Sequence, residues 1–217
     1  MTRPDAELLP RLRQSTGPLH GRIEALLRLE APMAPARYGR IVRGFHEFLH
    51  LWEQRVRFAL PDDLHAWFDE RRRSPFAERD IAALHLPDAP DLRASARGAQ
   101  QLLRLDSQAA AFGALYVIEG SALGGQVLTP RLAAVHGYAP ERGAAYFHGF
   151  GARTGAMWRE FRLLAQERVG HDEEALASAA CAAVQTFQAL IATFSVLDTA
   201  VEASSPAPSA APLTIAT

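Results

Sequence analysis

GALYVIEGSALGGQVL, residues 113–128, is the most informative stretch of this chain. It is apolar and helix-forming, and that character extends over residues 107–135. Yet Gly113, Gly120, Gly124 and Gly125 interrupt it, and a glycine inside a helix costs roughly 1 kcal/mol relative to alanine. Such a density of weakening residues in a buried helix implies a use for the missing side chains. Positions 120 and 124 lie one turn apart on one face, which is left flat. A planar ligand or a second backbone can approach such a face closely, and spacing alone leaves both readings open.

The surrounding sequence is helical as well. It is rich in Ala, Leu, Arg, Glu and Gln and shows no sustained two-residue alternation of β-branched residues, so the expected fold is an all-α, single-domain helical bundle. Thr16 before Pro18 reads as an N-cap opening a helix that runs to about Leu29. The clearest amphipathic stripe follows over residues 36–59, carried by Tyr38, Ile41, Val42, Phe45, Phe48, Leu49, Trp52 and Val56, and Pro61 stops it. Shorter pieces occupy residues 62–105, where Arg71, Arg72 and Arg73 read as a solvated face. Helices are expected again over 150–169 and 172–202. The domain spans 8–203, between a flexible N-terminus (1–7) and a disordered tail (204–217).

Composition narrows the function. The chain has 217 residues, 23 basic and 24 acidic, with a net charge of -1. At this length roughly 70% of the unfolded surface can be buried, enough for a core with a cavity cut into it. Every basic residue is arginine, but the arginines are interspersed with acids, so no one-signed stripe suits nucleic acid. Cys181 has no partner for an internal disulfide, and the first twenty residues lack the apolar run of a signal peptide, which places the chain in the cytoplasm. Residues 175–197 carry no formal charge and are long enough to span a bilayer. Their polar interruptions and acidic flanks read instead as a buried core helix, with no membrane partner expected.

Two groups of histidines invite a chemical reading. His20 stands one turn before Glu24, so the carboxylate can hold one ring nitrogen and leave the other free as a metal ligand. His46, Glu47 and His50 match the H-E-x-x-H pattern of zinc hydrolases, with Glu47 as base. No downstream motif clearly supplies the third ligand that such a site needs, and the same residues also fit the edge of the amphipathic helix.

LRQSTGPLHGRIE, residues 12–24, and residues 113–128 together resemble the biliverdin-producing heme oxygenases, especially bacterial members found beside bacteriophytochromes. FHGFGARTGAMWREF, residues 147–161, extends the similarity, which covers about residues 8–200 in the expected order. The resemblance implies that heme b, as both cofactor and substrate, is sandwiched between a proximal helix bearing His20 and a distal helix bearing Gly120, Gly124 and Gly125. His20 would be the axial iron ligand, with Glu24 as its support. The implied activity is cleavage of heme to biliverdin, CO and ferrous iron, using O2 and electrons from an external reductase or ferredoxin, with a bacteriophytochrome as an acceptor of the product. Ser121 stands where animal enzymes resemble it with an aspartate, and is expected to position distal water. Arg13, Arg159 and Arg162 are candidate partners of the heme propionates, Thr16 is a further contact on the proximal helix, and Phe194 is a candidate pocket wall. The position of the propionate tyrosine in relatives is taken here by Leu115, with Tyr116 beside it. A heme carrier without turnover would use the same residues, and a zinc hydrolase at His46, Glu47 and His50 is the remaining alternative.

Overall fold

The computed structural model describes residues 8–197 except 30 and 32. The expectations for the N-terminus (1–7), the tail (204–217) and the end of the last helix beyond 197 lie outside the described residues. The long helices are α1 (Leu8–Leu27), α2 (Pro35–Ala59), α4 (Ser74–Ala83), α5 (Pro90–Ala99), α6 (Gln108–His136), α8 (Thr154–Val169) and α9 (Glu173–Phe194), with single turns α3 (His65–Asp69) and α7 (Ala145–His148) between them. No strand occurs among the described residues.

The stripe on α2 builds the core. All eight of its named apolar residues are buried, Tyr38, Ile41, Val42, Phe48, Leu49 and Val56 completely. α9 is the central partner, packing against α1, α5 and α6. α6 and α9 are long and apolar enough, by length and composition, to cross a membrane. In the fold they lie against each other, and Gly113 explains how closely. A Cβ built at Gly113 would stand 1.9 Å from the Ala179 carbonyl oxygen of α9, so this glycine serves helix packing.

Three sequence expectations are corrected. Thr16 is not an N-cap, because α1 begins at Leu8 and passes through Pro18. Leu8 and Leu12, both buried, carry the helix two turns upstream, and their burial outweighs the cost of proline. Thr16 Oγ1 then donates to the Leu12 carbonyl at 2.7 Å. The helix expected from residue 150 starts at Thr154, because Gly149 and Gly151 adopt φ of 55° and 56° and break the chain direction. Finally, Arg71 and Arg73 are each only 4% exposed rather than part of a solvated face.

Glu53 causes that last difference. Its buried carboxylate accepts the backbone N–H groups of Arg73 (2.6 Å) and Ser74 (2.8 Å), the Ser74 hydroxyl and the Arg72 Nε–H (3.0 Å). The turn before α4 is thereby pinned to α2. Arg71 is turned inward, where it pairs with Glu119 at 3.3 Å and Glu160 at 2.8 Å.

Burial pushes the Glu119 carboxyl above its ordinary value, against the pull of Arg71. Between the ordinary and the raised value, the folded chain keeps a proton that the unfolded chain has released. Stability therefore falls as pH rises through that window. Glu119→Gln is expected to flatten this dependence. Urea midpoints of both proteins between about pH 4 and 7 provide the comparison, and parallel curves would remove Glu119 as the cause.

Candidate functional site

A cavity of about 920 Å³ separates α1 from α6, with Phe187 and Leu190 of α9 in its lining. α1 contributes Arg13, Thr16, His20 and Glu24, and α6 contributes Gly120, Ser121, Gly124 and Gly125. Residues about one hundred positions apart thus face one another because both helices pack on α9.

The imidazole of His20 is 57% exposed within this opening, and its Nδ1 lies 3.3 Å from Glu24 Oε2. Phe187 packs edge-on against the ring, with centroids 5.9 Å apart. With Nδ1 directed at the carboxylate, Nε2 is the nitrogen left for a metal.

The glycines opposite divide into two kinds. At Gly125 a Cβ would stand 2.1 Å from the Phe147 carbonyl oxygen, so this residue lets α7 close against α6. Gly124 has no atom within 4 Å of such a Cβ, and Gly120 meets only Trp158, at 3.8 Å. These two leave bare backbone facing open space. The two readings of the glycines therefore both hold, at different positions.

A direct contrast tests this division. Gly125→Ala is expected to destabilise the fold by about 1–3 kcal/mol through overpacking. Gly124→Ala should hold or raise the melting temperature, by up to about 1 kcal/mol of helix propensity, while weakening occupation of the cavity. Thermal melts and ligand titration of the two variants read both effects, and equal loss of stability would sink the assignment.

One end of the cavity is polar. Arg13, Thr16 and Tyr116 line it together, and burial pushes the ionisation of the Tyr116 phenol upward. Trp158 packs on Tyr116 at 5.9 Å, and Arg162 lies one turn further along α8 on the cavity wall. Leu115 is 2% exposed and absent from the wall, so Tyr116 is the tyrosine presented here. Ser121 faces the cavity, and its hydroxyl donates to the Ile118 carbonyl at 2.8 Å. That bond uses its only proton and leaves Oγ to accept.

Two candidates fall elsewhere. Arg159 is exposed and does not line the cavity. Phe194 is fully buried behind the wall, edge-on to Phe45 at 4.8 Å and filling the space above Gly44. The wall itself is Phe45, with Tyr146 and Phe147 from α7 and Arg73 from the pinned turn. Sequence reading missed Arg73 and Tyr146, which sit in no recognisable motif, and gave no role to Phe147, although it opens the stretch 147–161.

His46 and His50 stack with centroids 6.0 Å apart on α2. Among the described residues no group of three or more His, Cys, Asp or Glu could hold a metal. The zinc-hydrolase alternative therefore lacks the ligand set its chemistry needs.

An apolar slot with a carboxylate-supported histidine on one side, bare helix backbone on the other and arginines at one end fits a planar, dianionic metalloporphyrin. Fold and site together define an all-α protein with a slot between two helices that suits such a group. The chain belongs to the heme oxygenase family, whose family model, Heme oxygenase, matches residues 6–196. Heme binding and heme degradation are the properties of that family. Among curated proteins, none matches the chain.

Proposed function

We propose that this protein cleaves heme oxidatively to biliverdin, CO and ferrous iron, drawing electrons from a separate donor protein. The observation that carries the reading is the pairing of His20, braced by Glu24, with the unobstructed backbone at Gly120 and Gly124. When bound, heme supplies the iron and the redox chemistry that activates O2.

The chain's own residues supply position and exclusion. Glu24 orients the imidazole so that Nε2 faces the cavity. Arg13 and Arg162 offer forked donors to the propionates, and Tyr116 adds a phenol beside Arg13. Phe45, Phe147 and Leu128 close the other end with apolar surface that keeps bulk water away from the ring. Gly120 and Gly124 admit the ring and a small ligand together, while Gly125 holds α7 in place. Cytoplasmic location and delivery of biliverdin to a bacteriophytochrome belong to the same proposal.

The test is an optical titration with haemin, then reduction under air and extraction of the pigment. A stoichiometric Soret band that decays into biliverdin supports the proposal. A band that survives repeated reduction under air identifies a heme carrier instead, and no band at all removes heme from the reading.

A further inference from the structure

Arg71 does not line the cavity, yet it ties together the two helices that form one of its edges. Its side chain is only 2% exposed. Nη1 donates to Glu119 Oε2 of α6 at 3.3 Å and to the Met157 carbonyl of α8 at 3.2 Å, and Nη2 donates to Glu160 Oε2 of α8 at 2.8 Å. The guanidinium also lies over the Trp67 ring of α3 at 4.3 Å, while the Trp67 Nε1–H donates to the other oxygen of Glu160 at 3.1 Å. A planar fork is thus engaged by both of its terminal nitrogens and by a face, which a lysine ammonium cannot reproduce.

The residues it grips adjoin the wall in sequence. Glu119 precedes Gly120 on α6 and Met157 precedes Trp158 on α8, and Gly120 and Trp158 both line the cavity. A Cβ at Gly120 would stand 3.8 Å from Trp158, an ordinary contact, so these two residues close one edge of the slot between them. The Trp158 ring continues that edge to Tyr116, 5.9 Å away, and stacks on buried Phe161 at 5.4 Å. Because a helix moves as a rod over one turn, a shift of residue 119 or 157 carries its neighbour with it. Stability alone does not account for the arrangement, since apolar residues of similar volume commonly serve as well as a buried ion pair. What apolar packing does not supply is a directional hold on particular atoms of α3, α6 and α8 at once.

We propose that Arg71 is a positioning residue for the bound ring: by holding Glu119 and Met157 at a fixed separation, it sets the Gly120–Trp158 edge against which the ring comes to rest. The proposal rests on the heme reading above and deepens it, from where the ring sits to what fixes its seating within the slot.

Haemin-loaded protein in its ferric cyanide form tests this without turnover. Each ring methyl then gives its own strongly shifted proton resonance, and a second seating gives a second set. Arg71→Met/Glu119→Leu removes both buried charges together, so its urea midpoint is expected to stay close to that of wild type. Its methyl spectrum is expected to change, with a second set appearing, or an existing minor set growing, by about threefold or more relative to the main one. Val56→Ala is the control for lost stability, because Val56 is fully buried on α2 and does not line the cavity. It should lower the midpoint and leave the methyl pattern as in wild type. Arg71→Lys keeps the charge but cannot reach Glu119, Met157 and Glu160 together. It should show the second set as well, and it carries the same comparison if the double variant does not fold.

A wild-type methyl pattern in the variant compared, or the same change in Val56→Ala, overturns the proposal. No Soret band in the wild type fails the heme reading itself and is seen before any variant is compared. A normal band with a methyl pattern insensitive to Arg71 fails only this proposal.

Discussion

His20→Ala is expected to abolish axial ligation and reduce heme cleavage to background, while leaving the fold intact. The imidazole is more than half exposed and no hydrogen bond of the core depends on it, so its removal costs little stability. Ligation, however, has no substitute on α1, because Glu24 is the only other titratable residue that this helix brings to the wall near position 20. The ferric spectrum of the loaded variant should lose its histidine-ligated form, and added imidazole should restore it by occupying the vacated space. Glu24→Gln provides the graded case. Loss of a carboxylate that braces a ligand histidine typically costs about 10–100-fold in affinity or activity. If His20→Ala keeps the wild-type spectrum, the iron ligand lies elsewhere and the proposed orientation of the ring is wrong.

Glu53→Ala is expected to produce the largest loss of stability of any single change described, about 3–5 kcal/mol. The carboxylate is 2% exposed and accepts from two backbone N–H groups, the Ser74 hydroxyl and Arg72. Alanine leaves the three donors of Arg73 and Ser74 without acceptors where water has little access. Urea unfolding should show a lowered midpoint with an unchanged slope. Glu53→Gln, which keeps the volume and one carbonyl, should fall between. A loss under about 1 kcal/mol in the alanine variant would mean that the turn finds other acceptors and that Glu53 is not its anchor.

Much of this was legible in the chain itself. The stripe on α2 announced a buried helix, and each of its residues is in the core, because periodicity of 3.6 residues is a local property that burial merely uses. His20 and Glu24 are likewise neighbours by helix geometry alone. The four glycines could be noticed but not sorted, since Gly124 facing open space and Gly125 touching Phe147 differ only in what another helix brings to them. The same limit misplaced Phe194, which packs on α2 rather than on the ligand cavity. Thr16 was misread because a proline two residues on resembles a helix start, whereas burial of Leu8 and Leu12 extends the helix past it.

The sequence by itself determined the all-α class, the order of the long helices and the His20–Glu24 and glycine motifs, all of which follow from spacing along one chain; that the two motifs face one another is what the resemblance implied and what packing on α9 produces. Only the tertiary structure decided that Arg71 and Arg73 are buried, that Tyr116 rather than Leu115 lines the cavity, and that His46 and His50 have no third ligand among the described residues. Those outcomes depend on partners twenty to one hundred residues away, such as Glu53 for the Arg73 turn. Whether an arginine points outward or inward is a small difference between desolvation and hydrogen bonds that exist only once the helices have packed.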